Sequence, residues 1–214
     1  MNPDCETVPR KTSTDNHESR PMLKEAAKKV GDIVSKMIGY AATREWTPSR
    51  RAGERIISLK AYTQLNSYSC GVAAGFSVVK TFLPQSKFEE FYNLVDPDKE
   101  LGTPTRVLRR ALRQSGISVR SRRLNYQALL AHIREDRPVI VIIRNPGAES
   151  RHWVVAYGFG RDKILLASNG IPWIHKRWYR REEFTSMWEP RGNGLVCWAE
   201  KRQPRIRRTR GGRK

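Results

Sequence analysis

Residues 64–74 read Gln-Leu-Asn-Ser-Tyr-Ser-Cys-Gly-Val-Ala-Ala, a polar loop that runs into an apolar helical pattern. The pattern continues to Leu83, and Pro84 ends it. Ser69 stands where a hydroxyl can cap the helix, and Cys70 follows in the first turn. The unpaired N–H groups and the dipole of such a turn favour a thiolate over a thiol. The stretch therefore predicts a reactive cysteine at the start of a helix.

Polar residues in a definite order accompany this cysteine along the chain. Gln64 precedes Cys70 in the same loop and is a candidate donor to a developing oxyanion. His152 opens an apolar strand far downstream, and Asn169 follows the next apolar run. A thiol, a base and a side chain that orients the base are the parts of a nucleophile site. The order predicts that Cys70 attacks an acyl carbon, with His152 as base and Asn169 fixing its tautomer.

Other interpretations of these residues stay open. Taken singly, Cys70 is a small core residue in an apolar helix, and Asn169 before a glycine indicates only a turn. His175 is the alternative base, although the basic residues after it oppose its protonated form. Asp162 is the alternative group for orienting His152, although its place in a turn already explains its residue type.

The residues together resemble the bacteriocin-processing, double-glycine-specific cysteine peptidases of the papain-like superfamily. The resemblance implies that a peptide bond, in that family one that follows paired glycines in a leader peptide, is hydrolysed through a thioester. Asn169-Gly170 departs from the Asp-Pro that the family often has, although asparagine serves in papain itself. No transporter segment follows, so we expect a stand-alone member. The likeness covers residues 58–200 and rests on Gln64, Cys70-Gly71-x-Ala73, Gly102-Thr103, Pro138-Val139-Ile140-Val141 and His152-Trp153-Val154-Val155 with Gly158.

The hydrophobic pattern predicts an α+β fold in which helices come first and an antiparallel sheet follows. This is the order of a papain-like cysteine peptidase fold. Helices are predicted at Cys70–Leu83, at Phe88–Val95, between Thr103-Pro104 and Gly116, and after Asn125 as its cap. Strands are predicted at Ile117–Ser121, Val139–Arg144, His152–Phe159, Lys163–Ala167 and Leu195–Glu200.

Charge and composition divide the chain into three parts. Residues 1–57 contain a polar, disordered N-terminus, an amphipathic helix at about 22–42 and an Arg-rich linker. We expect this helix to pack on the domain or bind a partner, with a membrane surface as the alternative. Residues 58–200 form the peptidase-like domain. Residues 201–214 form a basic tail with eight Lys or Arg and no acidic residue, which predicts disorder and attraction to nucleic acid or acidic protein.

The cysteine content and the apolar segments restrict the compartment. The chain has three cysteines, a small and odd number that does not suit a disulfide framework. This favours reduced thiols and a cytoplasmic protein. Cys197, in an apolar strand pattern, is expected to be buried and inert. No stretch reaches the length of a transmembrane segment, and no signal sequence begins the chain. Metal-ligand spacing and phosphate-cradling loops are missing from the sequence, so we expect no metal and no cofactor.

Three function classes remain at this point. The first is a cysteine peptidase acting on a peptide or protein substrate. The second keeps the same residues and transfers the acyl group to an amine, as an acyltransferase-like or transglutaminase-like enzyme. The third is a basic nucleic-acid- or protein-binding module with an inactive peptidase-like fold, which would bind through the tail and a helix face carrying Arg106, Arg109, Arg110 and Arg113.

Overall fold

The computed structural model describes residues 53–144, 151–168, 175–188 and 192–200. The helices there are α1 Cys70–Phe82, α2 Phe88–Val95, α3 Thr105–Gln114, α4 Tyr126–Arg134 and α5 Arg181–Met187. The strands there are β1 Arg55–Ile56, β2 Ser118–Arg123, β3 Val139–Arg144, β4 Arg151–Phe159, β5 Lys163–Ser168, β6 His175–Arg180 and β7 Asn193–Trp198.

Within these ranges the strands form one antiparallel sheet. Its order is β2-β7-β3-β4-β5-β6, and β1 pairs with β4 beside that path. The last strand, β7, therefore lies between β2 and β3 rather than at an edge. Strands β3 and β4 occupy the middle and are buried along most of their length. Their near-continuous apolar sequence follows from this burial, because both faces of the sheet are covered there.

Helix α1 is the buried helix that carries the cysteine. Its first ten residues are buried, and it packs against β4 and against α2 and α3. Gly75 permits that approach, because a Cβ there would lie 2.7 Å from side-chain atoms of Phe91 and Leu108. Phe76 and Phe91 pack with their ring centroids 5.9 Å apart. Full burial of side chains of this size stabilises the fold by about 1.5–3 kcal/mol each.

The predicted α+β order, helices before an antiparallel sheet, is confirmed. Most predicted ends agree within two residues, and Asn125 caps α4 by accepting from the N–H of Ala128 at 2.8 Å. Three elements were not predicted: β1, β6 and α5. Strand β6 reads His-Lys-Arg-Trp-Tyr-Arg and lies at the sheet edge, where charged residues replace the apolar alternation. The two residues of β1 depend on β4 for their pairing, and no local pattern indicates them.

Several predicted segments lie outside the described residues. They are the polar N-terminus, the amphipathic helix at about 22–42 and the basic tail 201–214. Among the helices that the structure does describe, none has the length and apolar character needed to cross a membrane.

Candidate active site

The loop before α1 is folded back onto the helix start. The hydroxyl of Ser69 accepts from the backbone N–H groups of Leu65 and Asn66, at 3.0 and 3.2 Å. The prediction that Ser69 caps α1 with its side chain is therefore wrong, because the loop takes up the hydroxyl. Ser69 is completely buried, and its bonds fix the loop that carries Gln64 relative to the helix that carries Cys70.

Helix α1 approaches β4 closely at a glycine. A Cβ on Gly71 would lie 2.5 Å from Thr103 Cβ and 2.9 Å from Trp153 Cδ1. The indole N–H of Trp153 donates to the carbonyl of Thr103 at 3.0 Å and holds the ring in place. These contacts bring the first turn of α1 against the start of β4.

The thiol of Cys70 lies at this junction and is 7% exposed. The backbone N–H groups of Trp153, Gly71 and Cys70 itself lie near its sulfur and lower the pKa of the thiol. Burial raises the pKa of the thiol, and these N–H groups only partly oppose that effect. The expected thiolate is therefore not the resting form in this structure, because loss of solvent outweighs the helix N-terminus.

His152 stands near the start of β4, directly before Trp153. Its ring Nε2 lies 3.0 Å from Ser168 Oγ, at the end of β5. The register explains the contact, because Ser168 pairs with Val154 on the neighbouring strand. Burial lowers the pKa of His152 and favours the neutral imidazole.

The other predicted site residues have different outcomes. Gln64 is half-buried, and its enclosed Oε1 has no hydrogen-bond partner within the described part of the chain. Asn169 lies outside the described residues, as does the side chain of His175. Asp162 lies in the turn between β4 and β5, where its carbonyl accepts from the N–H of Arg181 at 2.9 Å.

Asp162 does not orient His152. The two residues lie at opposite ends of β4, and the seven steps from His152 to Phe159 alone span about 23 Å at the usual rise per residue. The sequence-based alternative of Asp162 is therefore excluded, because the long strand carries the turn away from the site.

Sequence reasoning missed Ser168. A serine at a strand end has no distinctive local signal, and its proximity to His152 depends on the register of β4 and β5. The junction of Gly71 with Thr103 and Trp153 was also missed in detail, although all three residues stand within the stretches that carried the family resemblance.

A groove of about 220 Å³ lies next to Trp153. It is open to solvent, and its lining mixes apolar side chains with small and polar groups. The lining residues are Thr105, Ser121, Ile142, Trp153, Asn193, Gly194 and Leu195.

Solved structures share this architecture. The peptidase domain of Streptococcus ComA, a bifunctional ABC transporter involved in quorum sensing, matches with a TM-score of 0.56 at 20% identity, over 68% of this chain and 98% of that one. A putative C39-like peptidase from Bacillus anthracis gives 0.55 at 12% identity, over 71% and 99%. A double-glycine-motif protease from an AMS/PCAT transporter, solved with a leader peptide, gives 0.52 at 16% identity, over 67% and 93%. The fold is that of the papain-like cysteine peptidases.

The family model of the Peptidase C39 family matches residues 58–202. The match takes in more than half of the 214 residues, and the chain belongs to this family. No curated protein matches the chain. The predicted family and the predicted enzyme class, a cysteine peptidase, are confirmed.

Proposed function

We propose that this peptidase hydrolyses its substrate through Cys70 and His152 by way of a thioester. The observation that carries the proposal is the position of the Trp153 backbone N–H near Cys70 Sγ, where it lowers the pKa of the thiol. This position brings the helix start against the strand residue next to His152. The thiol is buried and the imidazole is half-buried, and a thiol and an imidazole in such a setting have the chemistry of a nucleophile and its base.

The proton moves within this pair. The thiol and the imidazole are both neutral at rest, since burial raises one pKa and lowers the other. As Sγ bonds to the carbonyl carbon, the imidazole accepts the thiol proton, and it then gives that proton to the leaving amine. Water, deprotonated by the same imidazole, cleaves the thioester and restores the thiol. Nε2 of His152 lies within hydrogen-bond distance of Ser168 Oγ, so Nδ1 is the ring nitrogen available for these proton transfers.

Gln64 and the backbone N–H of Cys70 are proposed to bind the developing oxyanion. The side chain of Gln64 is half-buried with its Oε1 unpartnered, and the Ser69 bonds hold its loop against the helix start. Donors fixed in advance lower the barrier because they need no reorganisation as charge develops. Loss of one such donor typically lowers the rate by about 100- to 1000-fold.

Two neighbouring residues are proposed to orient His152. Asn169 is the sequence-based prediction, from its place in the order of polar residues. Ser168 is the candidate that geometry supports, since its hydroxyl lies 3.0 Å from Nε2. A hydroxyl fixes the ring without adding negative charge, which fits the lowered pKa of His152.

The proposed substrate is a peptide or protein cleaved after paired glycines. The related transporter protease was solved with a leader peptide and is named for its double-glycine motif. In this chain Gly71, next to Cys70, is packed closely against Thr103 and Trp153, and a glycine in the substrate adds no Cβ beside this crowded helix start. The groove beside Trp153 would receive the residues that precede the glycines.

The deciding experiment is labelling by an electrophilic peptide that ends in Gly-Gly, read by intact-mass and peptide mass spectrometry. Peptide mapping should find the adduct on Cys70 and none on Cys197, which is fully buried, and it reads the peptide that contains Cys5 separately. His152→Ala should lose labelling at neutral pH, and an Ala-Ala probe should label more slowly. Hydrolysis of an unmodified peptide, without incorporation of an added amine, would separate a peptidase from an acyltransferase. Labelling that persists in Cys70→Ala would overturn the assignment.

Two broader predictions remain proposals. Polyanion binding by residues 201–214 rests on their eight basic residues. A cytoplasmic location rests on the cysteine content, and the two cysteines within the described ranges, Cys70 and Cys197, are both free.

A further inference from the structure

A second cavity, of about 280 Å³, lies between α4 and the strands β2 and β7. None of the proposed catalytic residues lines it. Alternate residues of a strand point to opposite faces of the sheet. Ser121 and Leu195 line the groove beside Trp153, so the residues next to them in sequence place the second cavity on the other face. The residues that line it are Arg120, Arg122, His132, Arg137, Val196 and Trp198.

The charge in this cavity is strongly positive. Arg120 and Arg137 each place a guanidinium carbon 5.5 Å from the centroid of the Trp198 ring, which holds both side chains at the cavity wall. Arg137 also pairs with Glu135 at 2.8 Å. Among the residues that the structure describes, no carboxylate lines the cavity itself. The three guanidinium groups and the carboxylate of Glu135 together give a local charge of two positive units.

His132 adds an unsatisfied polar atom to this wall. Its Nδ1 is buried and has no hydrogen-bond partner among the described residues. Burial lowers the pKa of His132, and Arg137 and Arg122 lower it further, against the opposing effect of Glu135. A buried polar atom without a partner is unfavourable, and a bound ligand that supplies one removes that cost.

We propose that this cavity binds a phosphate group, as free phosphate or pyrophosphate or at the end of a larger ligand. A phosphate dianion matches the two positive units. Its oxygens accept in pairs from the planar guanidinium forks, and each arginine offers five N–H donors. A single carboxylate, with two oxygens and one charge, would leave much of this capacity unused. Val196 and the edge of Trp198 give an apolar surface for the rest of a larger ligand.

Binding should be coupled to protonation of His132. The groups that face the imidazole are Arg122, Arg137 and Glu135. The two arginines disfavour the protonated imidazole. A bound dianion offsets both arginines, so the pKa of His132 should rise towards its ordinary value when the cavity fills. Affinity should therefore increase as the pH falls through that range.

The test is calorimetric titration of the full chain with pyrophosphate, with the imidazole C–H signals followed by NMR. The His132 signal is assigned by its loss in His132→Gln. We expect its pKa to rise on addition of pyrophosphate. Arg122→Ala should weaken binding by about ten- to a hundredfold, the usual effect of losing hydrogen bonds to a charged group. Arg144→Ala removes the same charge at the exposed far end of β3 and should change affinity less than about twofold.

Several results would overturn the proposal. Equal weakening by Arg122→Ala and Arg144→Ala would show binding to net charge alone. Pyrophosphate bound without any response of the His132 signal would place the site elsewhere, such as in the tail. Arg122→Lys keeps the positive charge but loses the planar pair of N–H donors, so this variant should bind pyrophosphate less tightly than the unmodified chain. Equal affinity would refute recognition by the guanidinium. Titration with a short single-stranded oligonucleotide then separates a free phosphate ligand from a phosphodiester one.

Discussion

Cys70 and Cys197 are the two cysteines of the described ranges, and both are buried and free. Burial raises the pKa of each thiol. The difference lies in what surrounds the sulfur. Backbone N–H groups at a helix start lower the pKa of Cys70, whereas Cys197 lies in β7 and its thiol donates to the carbonyl of Leu195 at 3.4 Å. We therefore expect nucleophilic chemistry at Cys70 rather than at Cys197, because N–H groups near a sulfur favour its thiolate.

The sharpest way to test this comparison is to remove each thiol in turn. We expect Cys70→Ala to lower kcat/KM by about 10⁴-fold or more, as removal of a nucleophile does elsewhere. Cys197→Ser should keep kcat/KM and lose about 1–3 kcal/mol of unfolding free energy, because it buries a hydroxyl in apolar surroundings. Peptide hydrolysis and thermal unfolding measure the two effects. Full turnover in Cys70→Ala would remove the distinction between the thiols.

The pH profile of activity tests the protonation states of Cys70 and His152 without mutation. Burial lowers the pKa of His152 below its usual 6.5 and raises that of Cys70 above its usual 9.0. Between those limits the thiol and the imidazole are both neutral. We expect kcat/KM to hold from below pH 6.5 to above pH 9.0 and to fall outside that window. An activity that declines already above pH 6.5 on acidification would contradict a neutral buried imidazole.

The lowered pKa of His152 also determines whether the protein gains or loses stability in acid. The unfolded chain protonates His152 as the pH falls through 6.5, whereas the folded chain keeps the ring neutral. The unfolding free energy should therefore decrease below pH 6.5 until the lower folded pKa is reached. His132, whose pKa burial also lowers, contributes with the same sign. Urea unfolding between pH 7 and pH 5 measures the sum, and His152→Gln should flatten part of the curve.

Ser168 tests whether the imidazole needs an orienting hydroxyl. We expect Ser168→Ala to lower kcat by about tenfold, because one hydrogen bond of roughly 1 kcal/mol fixes the ring. Ser168→Thr, which retains a hydroxyl, is the matched control and should recover part of the loss. Ser168→Asp should raise the pKa of His152 and move the acid limb of the profile upward. If Asn169→Ala has the larger effect and Ser168→Ala none, the orienting role belongs to Asn169.

Gly71 tests how closely α1 must approach β4. In Gly71→Ala the new methyl meets Thr103 Cβ and Trp153 Cδ1, so we expect a loss of about 1–3 kcal/mol and a several-fold lower kcat. Gly160→Ala is the control, since its methyl meets only the flexible side chain of Lys163 within 3.4 Å. Thermal unfolding and hydrolysis are measured on both variants. Equal effects of the two changes would mean that the junction has no special role in the site.

The smallest effect on catalysis should come from the basic tail. Deletion of residues 201–214 removes eight positive charges and no predicted site residue. We expect unchanged kcat/KM on a short peptide and a weaker salt dependence of polyanion binding. An unchanged salt slope would assign that binding to the folded domain.

Sequence predicted what is encoded locally. The helix that begins at Cys70 and the strand that carries His152 follow from hydrophobic period and from the breaking effect of Pro84. The role of Ser168 could not be predicted, because it depends on the register between two strands. The raised pKa of Cys70 was missed for a related reason, since burial is a property of the packed molecule. The charged edge strand β6 has no apolar alternation to reveal it.

The position of β7 has a consequence for how the molecule is made. Its residues pair with β2 on one side and β3 on the other, so partners some fifty to eighty positions apart must meet before the sheet closes. Such distant pairing slows folding, because a long loop must be ordered before its contacts form. During synthesis on the ribosome, the edges of β2 and β3 stay unpaired until Trp198 has emerged. A nascent chain at that stage exposes two unpaired strand edges. It is prone to aggregate unless synthesis is completed rapidly or a chaperone covers these edges.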